Sequence, residues 1–308
     1  MGLRFLIILL ASVSAARAAA APHFAGVRLS RPTHELVVLN QGVDTPEGVG
    51  GQSLTYGTWD PFLVGGFLSF GHFAIGYAGT PANGEDASEV QELRLSYWHE
   101  RFGLQLGSAH AKNFRIIGGS VFDSLGPGEI RRSDMKYDNA TAQLTWALID
   151  LGLHLDNAFE PAEYPKRTGG ALVTIASLDR MTLDGNTALI PGSQQTVFLQ
   201  DGGFRSGDFL SANLSLGWGQ ALALGNFYVS GLFAIGMGRA RYTFETDSGE
   251  TSRGTVSNKD HLILGSGYSG ARFFTAGQFT AESPEYVLRS ISLQTSRQEL
   301  IFYSGVKW

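Results

Sequence analysis

Gln298-Glu299-Leu300-Ile301-Phe302-Tyr303-Ser304-Gly305-Val306-Lys307-Trp308 closes the chain, and its alternation decides the fold. In steps of two from Trp308, the residues Trp308, Val306, Phe302 and Leu300 share one face, interrupted only by Ser304. Lys307, Gly305 and Glu299 share the other face with Tyr303 and Ile301. Successive side chains of a strand point to opposite sides. One face can therefore meet hydrocarbon while the other carries small or polar groups. That two-solvent pattern belongs to a strand of a transmembrane β-barrel.

The opposite end agrees. Met1-Gly2-Leu3-Arg4 carries one positive charge, Phe5 to Leu10 is a short apolar run, and Ala18-Ala19-Ala20-Ala21 precedes Pro22. This order predicts a secretory signal peptide over residues 1–21, too short for a membrane span, with cleavage near Ala20 or Ala21. No Cys stands there to take a lipid anchor. The 308 residues include 40 Gly, 20 Phe and 10 Tyr, no Cys, and a net charge of -5. Without Cys there is no disulfide frame, no thiolate metal site and no cysteine nucleophile. The mildly acidic balance gives no ground for a nucleic-acid partner. After the signal no apolar run approaches the ~18 residues of a membrane helix. Lipid leaves the closed barrel as the other spanning structure.

The expected fold is all-β: a transmembrane antiparallel up-and-down barrel of about 12 strands over residues 52–308, with 10 or 14 also compatible with the boundaries. Residues 22–51 read as an irregular N-terminal segment holding short strands or a piece tucked into the mouth. Ser53 to Phe70 is one strand or two pieces broken at Asp60-Pro61. The cleanest alternation sets Leu210, Ala212, Leu214, Leu216 and Trp218 against Ser211, Asn213, Ser215, Gly217 and Gly219. Alternation alone also fits a soluble sandwich. The signal peptide, the terminal aromatic and the aromatics near strand ends (Tyr97, Trp98, Trp146, Trp218, Tyr303) select the barrel, because interfacial girdles are aromatic. Leu183–Arg205, Arg241–Lys259 and Glu282–Thr295 read as external loops. Asn113–Ser133 also reads as a loop, yet it falls on the periplasmic side in this count, where turns are short. Either it folds into the lumen or the count is off by one.

The final strand resembles the closing strand of bacterial outer-membrane proteins that the barrel-assembly machinery recognises, with Phe302, Val306 and Trp308 as the insertion signal. Ile130-Arg131-Arg132-Ser133-Asp134-Met135-Lys136, the segment Phe159 to Ala171 with Tyr164-Pro165-Lys166-Arg167, and Leu264-Gly265-Ser266-Gly267-Tyr268-Ser269-Gly270-Ala271-Arg272-Phe273-Phe274 extend the likeness. With the Trp308 ending, they resemble an uncharacterised, domain-of-unknown-function family of bacterial outer-membrane β-barrels, over roughly residues 52–308. The resemblance implies a signal peptide, about 12 strands and outer-membrane residence, and brings no catalytic residues.

Catalytic patterns are thin. Outer-membrane lipases resemble a pattern with Ser two residues after His on one strand, and none of His23, His34, His72, His99, His110, His154 or His261 has it. Ser108-Ala109-His110 carries the reverse order on one face. The Asp-x-His step of omptin-like proteases is also missing, since Asp260-His261 places its side chains on opposite faces. His154 and Asp156 share a polar face and could give two metal ligands, but a hydrogen-bonded lumen pair is the simpler reading, and no metal or other cofactor is expected. Lumen candidates are Glu92, Arg94, Gln105, His154, Asp156, Glu299 and Lys307, charges of the kind that brace or narrow a channel. The expected function is a passive small-solute channel or structural envelope barrel without enzymatic activity. The alternative is a membrane-embedded enzyme acting on lipid or peptide. Expected partners are outer-membrane lipids, the assembly machinery during insertion, and small solutes.

Overall fold

The computed structural model describes residues 23–40, 51–59, 61–81, 87–126, 130–155, 165, 167–195, 198, 203–246, 249–287 and 291–308. The signal-peptide reading (residues 1–21), Asp156 and most of Phe159–Lys166 lie outside the described residues. Thirteen antiparallel strands form one ring: β1 (His23–Asn40), β2 (Ser53–Thr58), β3 (Leu63–Phe70), β4 (Phe73–Gly79), β5 (Glu89–Trp98), β6 (Phe102–Gly118), β7 (Arg131–Leu151), β8 (Gly169–Asp184), β9 (Ser206–Leu224), β10 (Phe227–Thr246), β11 (Gly249–Ser269), β12 (Phe273–Val287) and β13 (Ile291–Lys307). The ring closes where β1 pairs with β13 from Phe24↔Lys307 to Asn40↔Ile291.

This corrects the N-terminal reading. His23–Asn40 is a full wall strand rather than an irregular segment. Arg28, Ser30 and His34 alternate inward with Val27, Leu29 and Arg31 outward, and the interrupting Pro32 faces in. Counting β1 also removes the loop conflict. The connections after β3, β5, β9 and β11 are short turns at the end that carries the chain termini, where the β7–β8 connection, residues 152–168, is the long exception, and the Gly119–Ile130 connection moves to the opposite, far end. Short turns mark the periplasmic side of such barrels.

The wall forks. β2 and β3 are one descending path broken around Trp59 and Pro61. β1 pairs with β2 through residues 35–39 and with β3 through residues 23–30. β6 pairs with β5 through residues 103–112 and with β2 through residues 114–118. The β4–β5 hairpin is thus a wedge in the lower wall only. The terminal end has twelve strands (β1, β3, β4, β5 and β6 to β13), and the far end has ten (β1, β2 and β6 to β13). At the fork β6 bulges between Lys112 and Phe114, and Asn113 takes φ 63°, a left-handed conformation that Asn tolerates better than most residues. Its amide donates to the Ala87 carbonyl (3.2 Å). The Ser88 hydroxyl accepts from Trp59 N–H (2.7 Å) and donates to the Asn113 carbonyl (2.6 Å).

The two solvents exchange places along each strand. On β10, Phe227, Val229, Phe233, Ile235 and Met237 face outward, followed by Arg239, Arg241 and Glu245. Small Ser230, Ala234, Gly236 and Gly238 face inward beside them, followed by buried Ala240, Tyr242 and Phe244. Ten steps from Phe227 to Met237 at about 3.3 Å each, tilted about 45°, span about 23 Å, close to the ~25 Å apolar band of a membrane barrel. Above that band the same wall is polar outside and apolar inside, like a soluble barrel. Arg241–Lys259 is accordingly paired strand in β10 and β11, and β6, β7, β12 and β13 likewise run well into the stretches read as loops. Outward at the terminal end, the tilted rings of Phe73, Tyr97 and Phe102 contact one another in series, and Phe227 meets Tyr268. Trp98 and Tyr303 face inward and are buried, so neither belongs to a girdle.

Glycine seats aromatic rings in this wall. A Cβ on Gly103 would lie 2.0 Å from the Trp98 ring, one on Gly26 2.7 Å from Phe67, and one on Gly305 2.8 Å from Phe274. Each ring lies flat over a neighbouring strand, which puts glycine in strand interiors despite its entropic cost. Gly103→Ala is expected to lower unfolding stability by about 1–3 kcal/mol through overpacking. Gly66→Ala, whose Cβ would meet only the Gly26 carbonyl at 3.5 Å, is the tolerated control. Urea titration in micelles, read by tryptophan emission, distinguishes them.

Candidate functional site

Charged side chains meet inside the barrel at the height where the outer face turns from apolar to polar. Arg28 from β1 reaches both Glu92 of β5 (2.5 Å) and Glu299 of β13. Arg94 pairs with Glu299 and lies 3.4 Å from Glu92, while Arg297 holds Glu92 at 2.6 Å and stands 3.6 Å from Glu299. His34 Nε2 lies 3.8 Å from Glu92. Both carboxylates are fully buried, and each is approached by three guanidinium groups.

A second cluster lies on the neighbouring arc. Lys259 of β11 donates to both oxygens of Asp179 of β8 (2.8 and 3.0 Å) and stands 3.6 Å from Glu282 of β12. His261 Nδ1 is 3.4 Å from Glu282, and the Thr141 hydroxyl donates to Asp179 (2.9 Å). Glu282 and Arg297 are register partners across β12 and β13, which joins the clusters. Four cations (Arg28, Arg94, Arg297, Lys259) thus meet four carboxylates (Glu92, Glu299, Asp179, Glu282) within the described residues. Charges removed from water persist when paired in this way, and deleting one partner strands the other.

A chamber of about 160 Å³ lies beside the network, with Arg28, Arg94, Arg297, Glu282, Gln105 and His261 among its lining. Arg94, Glu282 and Arg297 face inward yet keep 30%, 31% and 25% of their side-chain surface open, because this space stands beside them. Apolar layers lie above and below. At the far end Leu36, Val38, Tyr56, Phe209, Tyr242 and Phe244 fill the ten-stranded section with Leu189, Ile190, Phe198 and Phe204 from the β8–β9 connection. At the terminal end Phe24, Phe67, Phe274 and Tyr303 pack on one side, and Trp98, Leu153 and Leu155 on the other.

The β8–β9 connection is clamped. Arg132 donates to the carbonyls of Ala188 (3.0 Å) and Leu189 (2.7 Å), and the Tyr56 hydroxyl also donates to the Leu189 carbonyl. Asp134, above the membrane band, receives Arg132 at 3.0 and 3.1 Å and the Thr187 N–H at 3.2 Å. Burial opposes its charge, but the hydrogen bonds and charge of Arg132 with the bonds from Thr187 outweigh that and hold its carboxyl at about 2. Leu183–Arg205 is therefore not simply an external loop, since part of it is an inward stopper.

Of the lumen candidates, Glu92, Arg94 and Glu299 join the network. Gln105 faces the chamber and accepts a 3.5 Å bond from Gln143. Lys307 faces inward near the terminal end, bonded to Ser269 and 5.7 Å from the Phe24 ring centre. His154 is a correction: Gly152 turns the chain at φ 94° beyond β7, so Leu153 and Leu155 turn inward while His154 is exposed. Phe302, Val306 and Trp308 face outward. Ser108 and His110 also face outward. His110 Nδ1 binds Asp138 at 2.7 Å, but no hydrogen bond joins it to Ser108 among the described residues. No cluster of three or more His, Asp or Glu side chains suited to a metal occurs among them either. The sequence reading missed Arg28, His34, Asp179, Lys259, His261, Glu282 and Arg297. Val27-Arg28-Leu29 held a signal: a charge between two lipid-facing residues must point inward.

Glu92→Gln is expected to cost about 3–5 kcal/mol of unfolding stability by leaving Arg28 and Arg297 underpaired. Arg28→Met with Glu92→Leu should lose less than the two singles together, by about 1–3 kcal/mol of coupling. A double-mutant cycle from urea titrations reads both effects.

No curated protein matches the chain in sequence. Solved barrels are similar at low superposition. The outer membrane protease OmpT of Escherichia coli has TM-score 0.39 and 10% identity, covering 94% of this chain and 97% of that one. The β domain of the Bordetella autotransporter BrkA has TM-score 0.38 and 12% identity, covering 91% and 99%. The Pseudomonas putida toluene transporter TodX has TM-score 0.31 and 10% identity, covering 96% and 91%. Superpositions this loose carry nothing about activity. The family model described as "Domain of unknown function (DUF4421)" matches residues 28–308, and the chain belongs to that family.

Proposed function

We propose that the protein is a closed envelope barrel of the bacterial outer membrane, sealed to passive flow rather than working as an open small-solute channel. Residues 1–21 act as its export signal, and outward Phe302, Val306 and Trp308 serve recognition by the barrel-assembly machinery. The observation that carries the closed reading is the ladder of inward residues on β1. Phe24, Arg28, Ser30, His34, Leu36 and Val38 run from one end to the other, and each is at most 3% exposed. An open water-filled bore would leave such side chains wet. The apolar far-end core and the clamped β8–β9 connection support the same reading, because ion passage through hydrocarbon side chains carries a large desolvation cost.

The open-channel reading keeps one observation in its favour, the polar chamber at mid-height. Enzymatic action on lipid or peptide draws little support. The outward His110–Asp138 pair is solvent-exposed, as ordinary surface ion pairs are, and Ser108 is not hydrogen-bonded to it. Planar-bilayer recording of folded, inserted protein is the direct test. Wild type, Arg94→Ala and Glu299→Ala should all be silent. Discrete steps whose size changes with Arg94→Ala or Glu299→Ala would establish a bore through the network and end the closed-barrel reading.

A further inference from the structure

We infer that the outer face of β8, β9 and β10 carries a seat for the phosphate headgroup of an anionic lipid in the surrounding leaflet, held by Arg239 and Arg241. The inference rests on the reading of the outer face as membrane-spanning, and it is independent of whether the lumen is open. Met237, 71% exposed, ends the outward apolar run on β10, and Arg239 and Arg241 are the next two outward residues. Two residues of a strand tilted about 45° rise about 5 Å, so Arg239 stands about 5 Å and Arg241 about 9 Å beyond that run. A bilayer of ~40–45 Å with a ~30 Å hydrocarbon core has a headgroup layer about 5–8 Å deep on each side. Both arginines therefore stand at the level of lipid phosphates, and their long stems let the two charged heads meet there.

Three other outward cations are neutralised by acids of a neighbouring strand: His110 by Asp138 (2.7 Å), Lys112 by Glu89 (2.8 Å) and Arg180 by Asp208 (2.5 Å). Arg239 and Arg241 make no ion pair and no side-chain hydrogen bond among the described residues. The adjoining strands place no acid opposite them. Arg239 has Ala212 of β9 and Val256 of β11 as register partners, and Arg241 has Leu210 and Gly254. The chain thus offers these two like charges no counter-ion, and a lipid phosphate at their height does. Guanidinium forks match phosphate oxygens in pairs of charge-assisted bonds. The surface beneath suits the rest of the lipid. Small Ala212 lies between Leu178 and Arg239 in one row, with exposed Leu210 and Leu214 on either side of it along β9, so a shallow apolar dip sits directly below the guanidinium groups. The cationic face is local: on β11 the first outward charge beyond Leu264 and Leu262 is acidic, Asp260.

The full chain, folded in neutral maltoside micelles and checked by gel mobility, is mixed with equal amounts of chain-matched phosphatidylglycerol and phosphatidylcholine. Native mass spectrometry counts the retained lipid. Phosphatidylglycerol is expected to be retained over phosphatidylcholine by about tenfold or more, a ratio that two basic residues at a lipid surface can supply. Arg239→Gln with Arg241→Gln changes two exposed, unpaired positions, so it should fold and retain the two lipids equally. Lys112→Gln with Lys136→Gln removes the same charge from the outer face of β6 and β7 and should keep the preference. Excess soluble glycerol phosphate should not displace the bound lipid. Wild type without preference, preference kept in the folded arginine variant, equal loss in the lysine variant, or displacement by soluble glycerol phosphate would each overturn the seat. Folded protein that retains neither lipid and inserts into vesicles of neither would instead show the membrane reading of the outer face to be wrong, and the seat with it.

Discussion

Everything in this barrel follows from one constraint: each long strand crosses from hydrocarbon into water while remaining in the same hydrogen-bonded wall. Backbone pairing cannot be interrupted in lipid, so the adjustment falls on the side chains. Their polarity exchanges faces along the strand, from Met237 out and Gly236 in to Arg241 out and Tyr242 in. On β13 the exchange runs from Phe302 out and Glu299 in to Gln298 out and Leu293 in. The membrane half sets its continuous apolar face against lipid and keeps two smaller apolar clusters inside, around Phe274 and around Trp98. The far half has no lipid, and it buries its hydrocarbon inside as a soluble barrel does.

Strand number and filling are matched to this exchange. Barrel width grows with the number of strands. Ten strands at the far end leave a section that Tyr56, Phe209, Tyr242 and Phe244 close together with the tucked β8–β9 connection. Twelve strands in the membrane half are wider, and small inward residues cannot span that section. Charged side chains reach past intervening strands there, Arg28 of β1 to Glu92 of β5 and Lys259 of β11 to Asp179 of β8. The β4–β5 wedge that widens the wall also delivers Glu92 and Arg94, so the fork and the charge network are one structural feature.

This arrangement also explains what could be read from the sequence. The membrane halves were legible because one face is continuously apolar, as in Leu210 to Trp218 and Leu300 to Trp308. Pro61 made a break one of the two readings of Ser53 to Phe70, and the strands do part there, into Ser53–Thr58 and Leu63–Phe70. The far halves were not, because a reader following an outward apolar face meets Arg239, Arg241 and Arg253 where Leu or Phe is expected and reads a loop. His23–Asn40 was lost for the same reason, since its outward Val27 and Leu29 give way to Arg31 and Glu35. Inward Glu92, Arg94 and Glu299 could be placed because parity was secure around them. Their partners Arg28, Asp179 and Lys259 come from strands distant in sequence, and only closure of the ring brings them together. At His154 parity failed through Gly152, whose positive φ turned the chain where alternation was carried straight on.

The network's position has a consequence for how the barrel can form. Five of the eight interior charges (Arg28, Glu92, Asp179, Lys259, Glu299) are buried and need their partners, and the pairs join β1, β5, β8, β11, β12 and β13. Lys259 and Glu282 can meet within the β11–β12 hairpin, but Arg28 and Glu299 are separated by 271 positions and meet only when the first strand finds the last. Before closure these side chains need water, and the wide membrane half can admit it while the β1–β13 seam is open. Closing the seam pairs Arg28 with Glu299 and packs Phe24 against Phe274, while Arg132 and Tyr56 clamp the β8–β9 connection at the far end. Pairing of these charges is therefore tied to closure of the ring. The polar chamber stands beside these pairs, between the apolar layers at either end.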